Sequence, residues 1–436
     1  MSDVQTSAPA WARNLYHTGG PWAGLRQEAF ERFLELGLPT PRNEAWKYTN
    51  VAPIARGNFK AAGEGRLSGA DVERLLVPGL SARPIVFING QFRADLSSVD
   101  ALPQGVMVSS LGALRAGTAP KELVVATDEH LGRHARFKDE AFTALNTACL
   151  TDGAVIVAER GIVVDQPFHV VFVTTADQAE AVTHPRLLIV ARENSELTVL
   201  ESYIGLGANQ YFTDAVTELV VESGAVVDHC RLEEEGPGGF HVGAFHINQG
   251  RASRVQTGTF SFGGALVRNN LEVVLDGEGV SSTLLGLSVL EGAQHVDNFT
   301  VLDHARPHCE SRELYKGIYD DRSRGVFNGT IIVREGAQKT NAIQSNRSLL
   351  LTAEAAVDTK PQLKIWADDV KCTHGATVGQ LDDDALFYIR SRGVGEAAAR
   401  NMLIHAFASE VVSELKRVQL RHYLEERLLR KLGEQV

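Results

Sequence analysis

At 436 residues the chain has room for about three domains of ~150 residues each, and 44% apolar with 22% charged side chains allow a sizeable core, which excludes wholesale disorder. The formal net charge of −11 argues against a nucleic-acid or anionic-membrane binder, whose affinity would need a basic face. With 40 glycines outside any low-complexity tract, the composition points to many turns and hence many short strands.

Met1 to His17 carries no apolar h-region, so no secretory signal is expected, and no apolar run reaches the ~18 residues of a transmembrane helix. From Trp22 through Leu25, Ala29, Phe30, Phe33, Leu34 and Leu36 the apolar residues recur at helical spacing, and Gly37 and Pro39 supply a stop. A polar and aromatic segment follows, Asn43-Glu44-Ala45-Trp46-Lys47-Tyr48-Thr49. Ser68 suits the N-cap of a short helix carrying Val72, Leu75 and Leu76. Pro84 to Ile88 reads as strand, with Asn89-Gly90 as a hairpin turn.

From about Ala154 to Gly379 the texture is strand almost throughout, as at Ala154–Val157, Val170–Val173, Leu187–Val190, Glu218–Val221, Leu271–Leu275 and Ile331–Val333. Turn clusters near Gly250, Gly264, Gly277–Gly279, Gly292, Arg306, Asp321, Gly336 and Glu354 come mostly about 14 residues apart, and Glu-Gly-Ala-Gln occurs twice, at Glu291 and at Glu335. Two intervals make a coil of about 28 residues, which suits a parallel β-helix or a flattened two-sheet solenoid. The alternative is an antiparallel sandwich, with turns every ~8–12 residues. From Glu396 to Leu432 the pattern is one or two amphipathic helices, broken near Ser413. Residues 394–436 hold seven basic and six acidic side chains, so the acidity belongs to the body of the chain.

The four cysteines, Cys149, Cys230, Cys309 and Cys372, form no CxxC pair, so neither a zinc ribbon nor a thioredoxin motif is present. No GxxxxGK[ST] occurs, so ATP binding through a P-loop is excluded, and neither GxSxG nor HExxH appears. Gly205 to Gln210 begins like a dinucleotide fingerprint but lacks the third glycine and runs into Tyr211-Phe212-Thr213. Lys371-Cys372-Thr373-His374-Gly375 is the most chemical segment. On a strand, Cys372 and His374 share a face about 6.5–7 Å apart and could ligate one soft metal or the edge of an iron–sulfur cluster. Two ligands do not complete a site, and a buried cysteine beside a surface histidine is the plainer alternative. Asp303 to Cys309 offers His304, His308 and Cys309, either as ligands or as a turn with polar caps. Asp320-Asp321 and Asp382-Asp383-Asp384 suit paired carboxylates of a carbohydrate-cleaving β-helix enzyme, or solvated turns.

Ser311 to Gly317, Gly325 to Gly329, Thr340 to Leu350, Asp358 to Leu363, Ala367 to Gly379 and Phe387 to Gly393 together resemble the SufB/SufD family of the SUF iron–sulfur cluster assembly machinery. The likeness is dense over Cys309 to Phe407 and thinner over the central strands. Near the N-terminus it rests on Arg42 to Thr49, similar to the family's Arg-x-Glu-x-Trp-(Arg/Lys)-Tyr-Thr element. The few cysteines, with no N-terminal CxxC, resemble the SufD branch more than the SufB branch.

The resemblance implies a right-handed parallel β-helix over 101–380, flanked by helical domains over 1–100 and 381–436. It implies a non-catalytic scaffold that pairs with SufB and docks the SufC ATPase on its C-terminal helices, with Phe407, Val411 and Leu415 as candidate docking residues. It puts Cys372 and His374 at the junction with SufB, where a transient iron–sulfur cluster would be shared with a SufB cysteine. ATP would be bound by SufC and not by this chain, a flavin on the whole complex stays open, and a cytoplasmic location with reduced thiols is expected. A carbohydrate-active β-helix enzyme and a structural homo-oligomeric solenoid are the competing readings, and a homodimer when SufB is absent stays open, because β-helix edges favour strand pairing.

Overall fold

The computed structural model describes residues 8–433; the outer ends of the expected terminal domains, at residues 1 and 436, lie outside the described residues. Helices gather before and after a long run of strands. The first group is α1 (Ala10–Leu15), α2 (Ala23–Leu36), α3 (Ala52–Arg56), α4 (Gly69–Glu73), α5 (Leu111–Arg115), α6 (Lys121–His130) and α7 (Ala141–Ala148). The second is α8 (Asp383–Ser391), α9 (Glu396–Val412) and α10 (Val418–Lys431).

Helix α2 forms where the spacing predicts. It buries Ala29 and Phe33, and Gly37 closes it at φ 59°, donating its N–H to the Phe33 carbonyl at 2.9 Å. Ser68 caps α4 through a capping box with Asp71. That helix ends at Glu73, so Leu75 and Leu76 pack from the turn beyond it. The hairpin turns at Asn89 and Gly90, both at positive φ, and pairs Phe87 with Phe92. Helices α5, α6 and α7 are not anticipated in the sequence. In α7 every residue from Phe142 to Ala148 is buried, so the helix has no polar face to create a period. Helix α5 is five residues long, too short to show one.

The strands coil into a parallel β-helix of two facing sheets, and the sandwich alternative falls because chain neighbours in the run pair with strands one coil away. Val226 pairs with Arg254, Arg254 with Ser281 and Ser281 with Glu310, steps of 28, 27 and 29 residues that match the turn spacing. Side chains alternate between the lumen and the outside of each sheet. Lumen positions such as Val199, Val227, Val255, Leu284 and Ile331 form one apolar core along the axis. On the outside of one sheet, Leu285, Leu287, Leu314 and Ile318 meet Ile404 and Val411 of α9, Leu415, and Leu420 and Leu424 of α10.

The two ends of the solenoid differ. At the first, antiparallel partners finish both sheets: Val106–Ser110 lies against Ala154–Ala158, and Gln91–Phe92 against Arg83–Ile88. At the other, Ala356–Ile365 and Lys371–Gly379 each have a neighbour on one side only. Among the described residues no helix is long and apolar enough to cross a membrane.

Candidate functional site at the open end

The last coil carries the segment that the sequence singles out. Its strand Lys371–Gly379 pairs with Asn341–Leu350, with Ala342 beside Cys372 and Gln344 beside His374. Ala342, Gln344, Asn346 and Ser348 are buried lumen positions, so Cys372, His374, Ala376 and Val378 take the lumen side of the final coil. No further coil covers them. Cys372 is half-buried against the apolar core, and His374 is exposed. Burial pushes the Cys372 thiol above its ordinary range, only partly offset by a hydrogen bond with the Ala342 backbone. The opposite strand adds Val357, Thr359, Pro361 and Leu363, all half-buried, and Trp366 at the rim is 62% exposed.

A thiolate and an imidazole on one face offer two ligands of the kind that soft metals and cluster iron accept. Among the described residues no group of three or more His, Cys, Asp or Glu side chains could hold a metal ion. The pair therefore fits a cluster as cargo only if a second surface brings the remaining ligands.

The other candidate segments disperse. Asp303 points to Arg334, at 2.9 and 2.7 Å, while His304 is buried with its Nε2 2.9 Å from the Ser311 hydroxyl. His308 occupies a turn at φ 60°, and the buried Cys309 thiol donates to the Gly277 carbonyl at 3.1 Å. Asp321 sits in a turn and accepts the Gly292 N–H, and Asp382 is the N-cap of α8, accepting from Ala385 N–H at 3.0 Å. Gly205 to Gln210 leaves one strand and enters the next through a turn, with no helix to receive a phosphate. Cys149 and Cys230 are buried.

Arg42 to Thr49 acts as a clamp on the outside of the solenoid. The Arg268 guanidinium lies between the Trp46 ring at 4.4 Å and the Phe299 ring at 4.7 Å and pairs with Asp297, which also accepts from Thr49. Glu44 pairs with Lys360 on the final coil. A groove of about 640 Å³ opens beside the clamp, lined by Arg42, Trp46, Phe142, His246 and Phe299, and does not reach the strand bearing Cys372.

Val411 and Leu415 are buried, and Phe407 half-buried, in the seam between the C-terminal helices and the solenoid. There Lys316 donates to the Phe407 carbonyl at 2.8 Å, holds Glu410 at 2.5 Å and lies 4.3 Å from the Phe407 ring centre. The outward apolar side chains of these helices are Phe387, Tyr388, Met402 and Val418. Sequence reasoning also passes over Glu313 and Gln344, which line the lumen beneath His374. The coil period, once assigned strand by strand, is the signal that would have found them.

Residues 172–407 match the family described as "SUF system FeS cluster assembly, SufBD core domain", and residues 18–170 match "SufBD protein N-terminal region". A SufBD-family iron–sulfur cluster assembly protein of Synechocystis sp. is 34% identical over 89% of this chain and 86% of its own length. The iron–sulfur cluster assembly protein SufD of Escherichia coli is 32% identical, over 89% of this chain and 88% of its own. The SufD of Bacillus subtilis is 27% identical, over 93% and 91%.

Proposed function

The chain belongs to the SufBD family of iron–sulfur cluster assembly proteins, and on that premise we propose that it is a non-catalytic scaffold of the SufD kind, pairing with SufB through its open coil and presenting Cys372 and His374 to a transient cluster built between the two chains. The observation that carries this reading is the final coil itself. Two long strands end without a neighbour, and the two ligand-type side chains lie on their uncovered lumen face. A strand edge of this length is a template for another chain. A SufB coil seated on it would continue both sheets, cover Cys372 and His374, and bring the missing ligands. Trp366 and Val378, 62% and 48% exposed, give the joint an apolar rim. The same edges would accept a second copy of this chain where SufB is absent.

The SufC ATPase would dock on the outward side of α8 to α10, at Phe387, Tyr388 and Met402. Phe407, Val411 and Leu415 would carry the load inward through the seam. ATP belongs to SufC in this reading, which gives this chain no nucleotide to bind and assigns no residue of it to a flavin. Closure of the ATPase pair would pull on the C-terminal helices and, through the rigid solenoid, open the joint over the cluster. We infer a cytoplasmic location, where the free cysteines stay reduced.

Complementation in cells that depend on the SUF system tests the site. Cys372→Ala and His374→Ala are expected to lose cluster delivery while the chain accumulates normally; full delivery by both variants would refute the assignment. Phe387→Glu with Met402→Glu is expected to abolish SufC co-purification without unfolding the chain, and retained binding would move the dock elsewhere.

A further inference from the structure

Lumen positions stack from coil to coil, and one stack runs through Leu284, Glu313, Gln344 and His374. The Gln344 Nε2 donates to Glu313 Oε2 at 2.7 Å. The bond as placed puts the amide NH₂ on Glu313 and turns the side-chain carbonyl of Gln344 the other way. Its other end, Gln344 Oε1, is buried and has no hydrogen-bond partner. Buried acceptors are nearly always satisfied, so this oxygen, like Glu313 Oε1 beside it, has room for a donor. Across the lumen the amide lies against Gly329, where a Cβ would fall 2.4 Å from Nε2. The residue paired with Gly329 on the final coil is Pro361, which brings no donor. On the amide's own side the final coil presents His374, beside Ala376, which has no polar side chain. Leu284, below Glu313, cuts this group off from the deeper His229 and Thr257 pair.

We propose that Gln344, held in place by Glu313, is a positioning residue for His374: its side-chain carbonyl accepts one ring N–H of His374 and leaves the opposite ring nitrogen free for metal. The ligand role of His374 rests on the function proposed above; the hydrogen bond does not. A neutral imidazole has one N–H and one lone pair, so fixing the N–H selects the tautomer and aims the lone pair. Metal-binding histidines are commonly held in this way, and removal of the holding group typically lowers metal affinity about 10–100-fold. Gly329 contributes by leaving the lumen open for the amide to cross.

The test is the ring ¹⁵N spectrum of the metal-free full chain labelled at histidine, with the His374 signals assigned by their loss in His374→Ala. The expected result is one fixed tautomer of His374 in the unaltered chain, released to an exchanging pair in Gln344→Leu and unchanged in Thr359→Val, which removes an unpaired hydroxyl on the facing strand of the same coil. The swap Glu313→Gln with Gln344→Glu keeps a donor for the lower bond and an acceptor for the ring, so it should restore the fixed tautomer. Averaged tautomers in the unaltered chain, no change in Gln344→Leu, or failure of the swap in a folded chain would each overturn the proposal. Because no metal is present, the spectrum separates this inference from the cluster reading, which complementation by His374→Ala decides on its own.

Discussion

Glu201 is a buried carboxylate that stays charged because its partners are buried with it. It accepts from Tyr203 at 2.8 Å, Thr217 at 3.0 Å and Arg231 at 3.2 Å, and His229 Nε2 lies at 2.8 Å. Burial alone would raise its pKa, but Arg231 and His229 outweigh burial and bring it to about 2. A depressed carboxyl stabilises the fold above its ordinary pKa, and that stability is lost as pH falls from about 4.5 towards 2. Arg231→Met strands the charge and is expected to cost about 3–5 kcal/mol in urea unfolding at pH 7. Glu313 is the opposite case. Burial pushes it up to about 7 with no cation to offset it. Its contribution is intact below about 4.5 and is lost as pH rises through 7. Glu313→Gln should therefore leave stability near pH 5 little changed and raise it at pH 8 by about 2–3 kcal/mol. An equal effect at both pH values would contradict the assignment. Neither residue stands out in the sequence, because the partners that matter most, Arg231 and His229 for Glu201 and Gln344 for Glu313, lie about 30 residues away on the next coil.

At the scale of elements, what was legible depended on length. Helices α2, α9 and α10, of 14, 17 and 14 residues, are long enough to show a helical texture, and the sequence finds all three, including the break between α9 and α10 after Ser413. The buried α7, of eight residues, and the five-residue α5 are not. The Arg42 to Thr49 segment has no period either; its resemblance to a family element marks it, while its physical role comes from contacts made more than 200 residues along the chain, at Arg268 and Asp297. Trp46 is the lid of that contact. Trp46→Ala is expected to cost about 2–3 kcal/mol, less than a fully buried tryptophan because the ring is half-exposed. Limited proteolysis within residues 37–60 should then accelerate, and an unchanged cleavage rate would show that the segment is held elsewhere.

Over the whole molecule, the turn spacing favoured a solenoid over a sandwich, because a regular period of strands and turns implies stacking, and the strand pairing decides between them. The inequality of its ends was not legible, since it depends on which strands find a last neighbour. One end is closed by short antiparallel strands, as folded β-proteins commonly protect their edges. The other leaves the outer edges of two strands, of ten and nine residues, without a neighbour, with Cys372 and His374 on the uncovered face. An edge left open beside ligand-type side chains is the physical basis for reading this chain as half of a shared site. The measurement that tests that claim most directly is the iron and acid-labile sulfide content of the complex recovered through a tag on this chain after co-expression with SufB and SufC. The account predicts both partners, iron and sulfide with the unaltered chain, and the same partners with iron and sulfide at background for the Cys372→Ala, His374→Ala double variant. Recovery of this chain alone, or undiminished iron and sulfide on the double variant, would contradict it.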